Sequence, residues 1–311
     1  MQGPIKMPQK DVRKLQLIEL DILLELDRIC RKNNIQYVLC GGTMIGVIRH
    51  EGFIPWDDDI DTIMTRKEFE KFEKACQKDL NHDKYFLQTY KSDKEYRWGY
   101  VKLRRKGTEY LRWGQEAIKC FSGVSIDIFI HDNVPDSRIG RIAYHYIRRG
   151  CIKTLYSVVG ATQDKFLWKR FIYRGLRHIK KEIPLQIMEF LARMSNHKKT
   201  EYMYCMSFYR VDKFGAKNDI LHRAIRSDLF EDIIEMDFEG FPFYVFKDYN
   251  AYLASNYGNR NIWKYPPESQ RIVHPPRRYY LDVDIDLRGK NIEEYMNKEY
   301  IYKTGQNGDK V

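Results

Sequence analysis

Between residues 11 and 32, apolar side chains return every three or four positions, at Leu15, Ile18, Ile22, Leu26 and Ile29. That is the spacing of one helical face, so the stretch predicts an amphipathic helix ending before Asn33-Asn34. Residues 36–40 read as a short apolar strand, and Gly41-Gly42-Thr43 as a turn into a second short helix with Thr43 as its N-cap. Pro55 breaks the chain after that helix. Residues 58–64 then form the next strand, and 66–78 a helix with Phe69 and Phe72 turned inward. Further strands are expected at 96–104 and 124–130. The second alternates Val124, Ile126, Ile128 and Ile130 on one face with Ser125, Asp127 and Phe129 on the other. This order predicts an α/β (α+β) chain: a small mixed sheet flanked by helices.

The pattern changes after Pro135. Residues 138–181 hold twelve Lys or Arg against one acid, Asp164, with Trp168, Phe171, Ile172 and Tyr173 interleaved. This reads as a basic, aromatic-rich helical insert. The interleaving suggests a helix lying on an anionic membrane surface. From about residue 202 the chain is mixed again and ends in a charged tail expected to fray. The predicted division is therefore a core at 1–135, the insert at 136–200 and a C-terminal lobe at 201–311.

The formal charge of +11 calls for partners of opposite sign, whether nucleic acid, anionic lipid or a phosphorylated small molecule. Six cysteines form no C-x-x-C pair, which fits buried thiols in a reducing compartment. The polar N-terminus does not read as a signal peptide, and no apolar run approaches the roughly 18 to 20 residues of a spanning helix. A cytoplasmic setting is expected.

Trp56-Asp57-Asp58-Asp59-Ile60-Asp61 concentrates the candidate chemistry. In a strand, residues two apart share a face at roughly 6.5–7 Å, so Asp59 and Asp61 would aim at one point while Ile60 faces the core. Close carboxylates repel unless a proton or cation lies between them, and a hard divalent ion such as Mg²⁺ or Mn²⁺ suits oxygen ligands and substrate phosphates. An acidic surface turn is the plainer alternative. An EF-hand loop is another: Asp57, Asp59, Asp61 and Glu68 match its first, third, fifth and twelfth positions. Thr62 stands where that loop requires glycine. Upstream, Gly41, Gly42 and Thr43 open a helix whose N–H groups can receive phosphate. Asp127 is either a third carboxylate of the site or an acid on the solvent face of an edge strand; the alternation alone leaves both open.

Together the Gly-Gly turn, the D-h-D strand and the later h-D-h strand resemble the nucleotidyltransferase-fold signature. The run from Gly41-Gly42-Thr43 through Gly46, Arg49-His50 and Gly52-Phe53-Ile54-Pro55-Trp56-Asp57-Asp58-Asp59-Ile60-Asp61 resembles the LicD family more closely. That family includes bacterial phosphorylcholine transferases and, more distantly, fukutin-type phosphoribitol transferases. Lys102, Arg104 and Thr108, the strand around Asp127, and a C-terminal block of Tyr252-Leu253, Tyr257-Gly258, Pro266-Pro267-Glu268, Arg271 and His274 extend the likeness. Asn259 stands where many members carry Asp, Phe246-Lys247 lies where proline is usual, and extra residues precede Pro266.

The resemblance implies metal-dependent transfer of a phospho-alcohol, with phosphocholine favoured, from a CDP carrier to a hydroxyl of a glycan or lipid-linked glycan, releasing CMP. It implies that Asp59, Asp61 and Asp127 are catalytic and hold the metal. Gly41, Gly42, Thr43, Arg49, Lys102 and Arg104 would meet nucleotide and phosphate. His50, Trp56, Asp58, Arg271 and His274 are candidates for the substrate side. Two rivals remain: a nucleotide-adding enzyme acting on RNA or a small molecule, and a non-catalytic nucleotide-binding relative. No RNA-binding module is recognisable, so nucleic acid is not an expected partner. The intact acids argue against the relative.

Overall fold

The computed structural model describes residues 3–205, 224–258, 262–268, 271 and 274–303. Asn259 and the end of the charged tail, 304–311, lie outside the described residues.

Helix α1 (Gln9–Lys32) starts at Pro8, whose carbonyl takes the N–H groups of Asp11 and Val12. It is buried on almost every side, and a polar stripe runs along it. Gln9 donates to the Pro55 carbonyl, Gln16 to those of Ile54 and Asp57, and Arg13 grips Glu239 at 3.0 and 2.9 Å. These side chains recur at helical spacing, so one face of α1 holds the loop that leads into the acidic run. The strand expected at 36–40 shrinks to β1 (Val38–Leu39), because the Gln36 N–H goes to the Glu68 carboxylate and not to a ladder. Helix α2 (Gly41–His50) follows, then β2 (Asp61–Thr65) and α3 (Arg66–Asp79), with Thr65 as a true N-cap accepting from Glu68.

Beyond α3 come β3 (Tyr85–Gln88), β4 (Val101–Arg105), β5 (Glu109–Arg112) and β6 (Ser125–Asn133). The expected strand at 96–104 is thus half irregular, since Tyr96 turns back onto the Asp93 carbonyl. Three helices follow: α4 (Arg138–Gln163), α5 (Leu167–Leu176) and α6 (Glu182–Ser195). The chain continues through β7 (Tyr202–Cys205), β8 (Ile225–Arg226), β9 (Ile233–Phe238), β10 (Phe241–Phe246), α7 (Tyr249–Tyr257), β11 (Pro276–Tyr280) and α8 (Ile292–Asn297).

Among the described residues the main sheet runs β1-β2-β6-β4-β3, with β7 joined to the far end of β6 and β8 to β7. Only β2 and β6 run parallel; the neighbouring pairs are antiparallel, giving the mixed sheet that the α/β reading requires. Strand β6 is central, and Asp127 and Phe129 are buried along with Ile126 and Ile128. The edge-strand alternative for Asp127 is therefore wrong: both faces of that strand are covered.

One apolar core unites α1, the sheet and C-terminal residues such as Phe238, Phe243, Phe246, Tyr252 and Leu281. Helices α4 and α6 have a second, smaller cluster around Tyr144, Leu155, Leu185, Met188 and Ala192. Five of the six cysteines are buried, and Cys120 is half-buried. No helix of the described residues is long and apolar enough to cross a membrane.

Candidate active site

The parallel pairing of β2 with β6 sets Asp61 beside Asp127, and the antiparallel pairing of β6 with β4 sets Lys102 on its other side. Directly paired residues project to the same face. Three charged side chains thus form one row across the middle of the sheet. Lys102 Nζ donates to Asp127 Oδ1 and, at 3.3 Å, to Ser125 Oγ.

The acidic run arrives above this row. It is not yet strand at Asp59, as the ladder opens only where the Ile60 carbonyl takes the Asp127 N–H. The preceding residues are bent by their own partners. Asp58, buried, accepts from the Tyr110 hydroxyl at 3.1 Å and from the His274 N–H at 2.7 Å, with His274 Nδ1 at 3.2 Å. Asp59 lies 3.4 Å from Arg112 Nη2 and 3.3 Å from His274 Nδ1. Ligand-type atoms of Asp58, Asp59 and His274 all fall within 4.8 Å of one another.

The start of α2 closes the other side. Gly41 has φ +58°, and a Cβ there would lie 2.8 Å from Asp61 Oδ2; one on Gly42 would lie 2.7 Å from Asp57 Oδ2. Only glycine lets the helix end approach these carboxylates, which the positive end of its dipole favours. Thr43 is not the N-cap. That position falls to Cys40, and the Thr43 hydroxyl instead accepts the Asp61 N–H at 2.9 Å, tying α2 to β2. The Gly41 N–H is itself taken by the Tyr252 hydroxyl at 2.7 Å.

Burial, then the charges of Asp59, Asp127 and Asp57, push the Asp61 carboxyl well up, and Asp57 is raised likewise by burial, Asp59 and Asp58. Burial alone would raise Asp59 too, but the hydrogen bond and charge of His274, with Arg112 and Lys102, hold it below the usual carboxylate range. Arg112 and burial oppose a proton on His274, yet the bonds to Asp58 and Asp59 outweigh them and lift it to about 8. Lys102 is pushed down to about 8 by burial, against the pull of Asp127. Glu19 reaches in from α1, raised by burial and by Asp59 and Asp58, with Oε2 buried and unpartnered.

Six carboxyls therefore crowd around three cationic groups. The oxygen-rich donor set, the space kept open by Gly41 and Gly42, and the unpartnered Glu19 oxygen fit a hard divalent cation. Asp59 belongs to the Asp58–His274 group, and its charge, with that of Asp127, raises Asp61. A cleft lined by Asp58, Tyr100, Lys102, Arg104, Tyr110 and Arg112 opens beside it.

The remaining candidates lie around this centre. Arg104 lines the cleft but is occupied by Gln88 and the Gly123 carbonyl. Arg49 and His50, in the last turn of α2, bind the Ile262 and Ile301 carbonyls, and Arg49 stacks on Tyr265 at 4.2 Å. Arg271 lies 4.0 Å over the Trp56 ring, and its Nε and the Tyr265 hydroxyl are buried without partners. Arg112, Glu19 and Tyr110 escaped the sequence reading. Glu19 carried a signal, since it falls four residues after Leu15 and three before Ile22, on the inward face of α1.

Residues 34–139 match the family described as LicD/FKTN/FKRP, nucleotidyltransferase domain. Over 281 residues, 88% of this chain and 100% of the other, the sequence is 28% identical to the lipopolysaccharide cholinephosphotransferase LicD of Haemophilus influenzae. An uncharacterized protein of Rickettsia prowazekii is 42% identical over 40 residues, 13% of this chain and 15% of that one. One of Rickettsia typhi matches over the same length, at 42% identity and 13% of each chain.

Proposed function

Because this chain belongs to the LicD family, we propose that it is a metal-dependent phosphotransferase. It moves phosphocholine, or a related phospho-alcohol, from a CDP-activated donor to a hydroxyl of a cell-surface glycan and releases CMP. The observation that carries the reading is the row Asp61–Asp127–Lys102 beneath Asp59, beside a cleft with further cationic walls. A relative matched along its whole length is named a lipopolysaccharide cholinephosphotransferase, which supports the choice of donor group and glycan.

Asp59, Asp61 and Asp127 would hold Mg²⁺ or Mn²⁺, with Asp58 and His274 beside them. When bound, the ion neutralises charge that develops on the diphosphate. Lys102 and Arg112, with Arg104 behind them, meet the remaining phosphate charge. The acceptor oxygen bonds to the phosphorus that carries the alcohol, and the bond from that phosphorus to the bridging oxygen breaks. CMP departs with the electron pair, and the hydroxyl proton passes to a carboxylate of the site, for which Asp127 is our choice. The donor and a lipid-linked acceptor would meet at the cytoplasmic face of a membrane.

The test is CMP release from a panel of CDP-alcohols with Mg²⁺ and an acceptor-rich membrane extract, with Asp59→Ala in parallel. Release from one donor, lost in the variant, supports the reading and names the group. No CMP from any donor defeats it.

A further inference from the structure

We propose that the outward faces of α5 and α6 form a docking surface for an anionic lipid bilayer, set beside the rim of the cleft. In α5 the exposed residues are Leu167 (76% exposed), Trp168 (62%), Phe171 (77%) and Ile172 (49%), while Tyr173 is buried. At about 100° per residue these four occupy one arc of roughly 140°, and Tyr173 lies opposite its middle. The helix is therefore turned inside out: its apolar face points to solvent. What holds it this way is Tyr173, packed edge-on to Tyr156 and so close to Gly160 of α4 that a Cβ there would lie 2.5 Å from the ring.

Helix α6 repeats the arrangement. Pro184, Leu185, Met188 and Ala192 face inward, whereas Ile183, Ile187, Phe190 and Met194 make a second stripe, each 40% or more exposed. Exposed apolar stripes of this kind mark an interaction face.

Charge selects the occupant. Lys165 and Lys169 flank the arc of α5 on one side, Arg170 and Arg174 on the other, within a stretch whose sole acid is Asp164. Lys169 lies 4.6 Å from the centre of the Phe166 ring and 5.4 Å from that of Trp168. Aromatic and aliphatic residues bordered by Lys and Arg suit the headgroup boundary of an anionic bilayer. Helix α6 carries Glu182 and Glu189 beside Arg193, so the positive charge lies on α5 and its flanks; a second copy of the chain would bring two such α5 faces together, which their charge opposes.

The surface also adjoins the chemistry. Gln163, at the end of α4, packs against Gly114, whose Cβ position lies 3.2 Å from it, and Gln115 and Ile118 of the same loop line the cleft. Resting on the proposed phosphotransferase function, this gives the docked enzyme an acceptor delivered along the membrane plane.

Cosedimentation of the full chain with vesicles tests the proposal, comparing phosphatidylcholine alone with an equimolar mixture of phosphatidylcholine and phosphatidylglycerol at low and high salt. Binding is expected only to the mixed vesicles and should weaken with salt. Each surface cation contributes about a fivefold factor, so Lys169→Gln with Arg174→Gln should weaken binding roughly 25-fold. Trp168→Ser with Phe171→Ser should remove it, with circular dichroism and CMP release towards a soluble acceptor unchanged. Absence of binding to the mixed vesicles, or equal binding by both variants, overturns the proposal. So does a concentration-dependent dimer that the apolar variant dissolves. Vesicle binding without CMP release from any donor would defeat the phosphotransferase reading and leave the docking surface standing.

Discussion

Arg13→Met tests whether the polar stripe of α1 holds the acidic loop. The Arg13 guanidinium pairs with both oxygens of Glu239, and both residues are buried. Glu239 Oε1 also accepts the Phe53 N–H at 3.1 Å, so the pair anchors the loop just before the acidic run. Methionine matches most of the arginine's volume and leaves Glu239 with only that N–H and Lys298 at 3.4 Å. Removing one partner of a buried pair costs about 3–5 kcal/mol. At about 2–4 °C per kcal/mol for a larger domain, Tm should fall by roughly 6 to 20 °C.

The pH dependence carries the sharper test. Burial alone would raise the Glu239 carboxyl, but the bonds and charge of Arg13, with Lys298 and the Phe53 N–H, hold it below its ordinary value of 4.5. A depressed carboxyl contributes stability that is complete above the unfolded value and is lost as pH falls through the folded one. The gap in Tm between wild type and Arg13→Met should thus be widest near neutrality and narrow below about pH 4.5. Thermal melts followed by circular dichroism at several pH values measure it, with Glu239→Met and the double variant completing a cycle. The double variant should be far less destabilised than the sum of the singles. A gap of under about 2 °C at neutral pH, or one that does not change with acid, refutes the reasoning.

Three further outcomes are expected at the site. Gly41→Ala forces a non-glycine residue to φ +58° and drives a methyl group against Asp61 Oδ2; it should destabilise by about 1–2 kcal/mol and slow CMP release roughly 100-fold, read by melts and initial rates. Lys102→Met leaves Asp127 buried without its cation and should cost about 3–5 kcal/mol in urea unfolding, whereas Lys102→Met with Asp127→Leu should regain stability but not activity. Chelation should abolish CMP release, with Mg²⁺ or Mn²⁺ restoring it; the ion at a hundredfold excess over Kd should stabilise wild type by about 2.7 kcal/mol, and Asp61→Asn should show little of this shift.

Helices α1 and α3 were readable because their apolar positions recur at helical spacing, with Asn33-Asn34 closing the first and Phe69 and Phe72 marking the inward face of the second. The strands were harder, since their length depends on partners distant in sequence. The hairpin β9–β10 turns at Glu239-Gly240, with φ +58° and +82°. Glutamate is not a residue such a turn selects; the usual signals are Asn-Gly and Asp-Gly. Glu239 occupies the position because its carboxylate is needed by Arg13, so a tertiary requirement overrides the local preference that would have announced the turn.

The same division runs through the site. Asp59 and Asp61 stand out as candidates because two acids flanking one apolar residue are a local pattern, whereas Asp127 stays open in the sequence and only the pairing of β6 between β2 and β4 puts it beside Asp61. Arg112 does not stand out, since its place beside Asp59 depends on β5 pairing with β11, more than 160 residues away. Helix α5 shows a third case. Its apolar and basic residues are visible in the sequence as two faces, but periodicity says only that the faces differ, not which one turns inward. In most helices the apolar face would be the buried one. Here a single tyrosine on the basic side, seated against a glycine of α4, reverses the orientation. The surface this exposes follows from a packing choice between two helices, and only their contact reveals it.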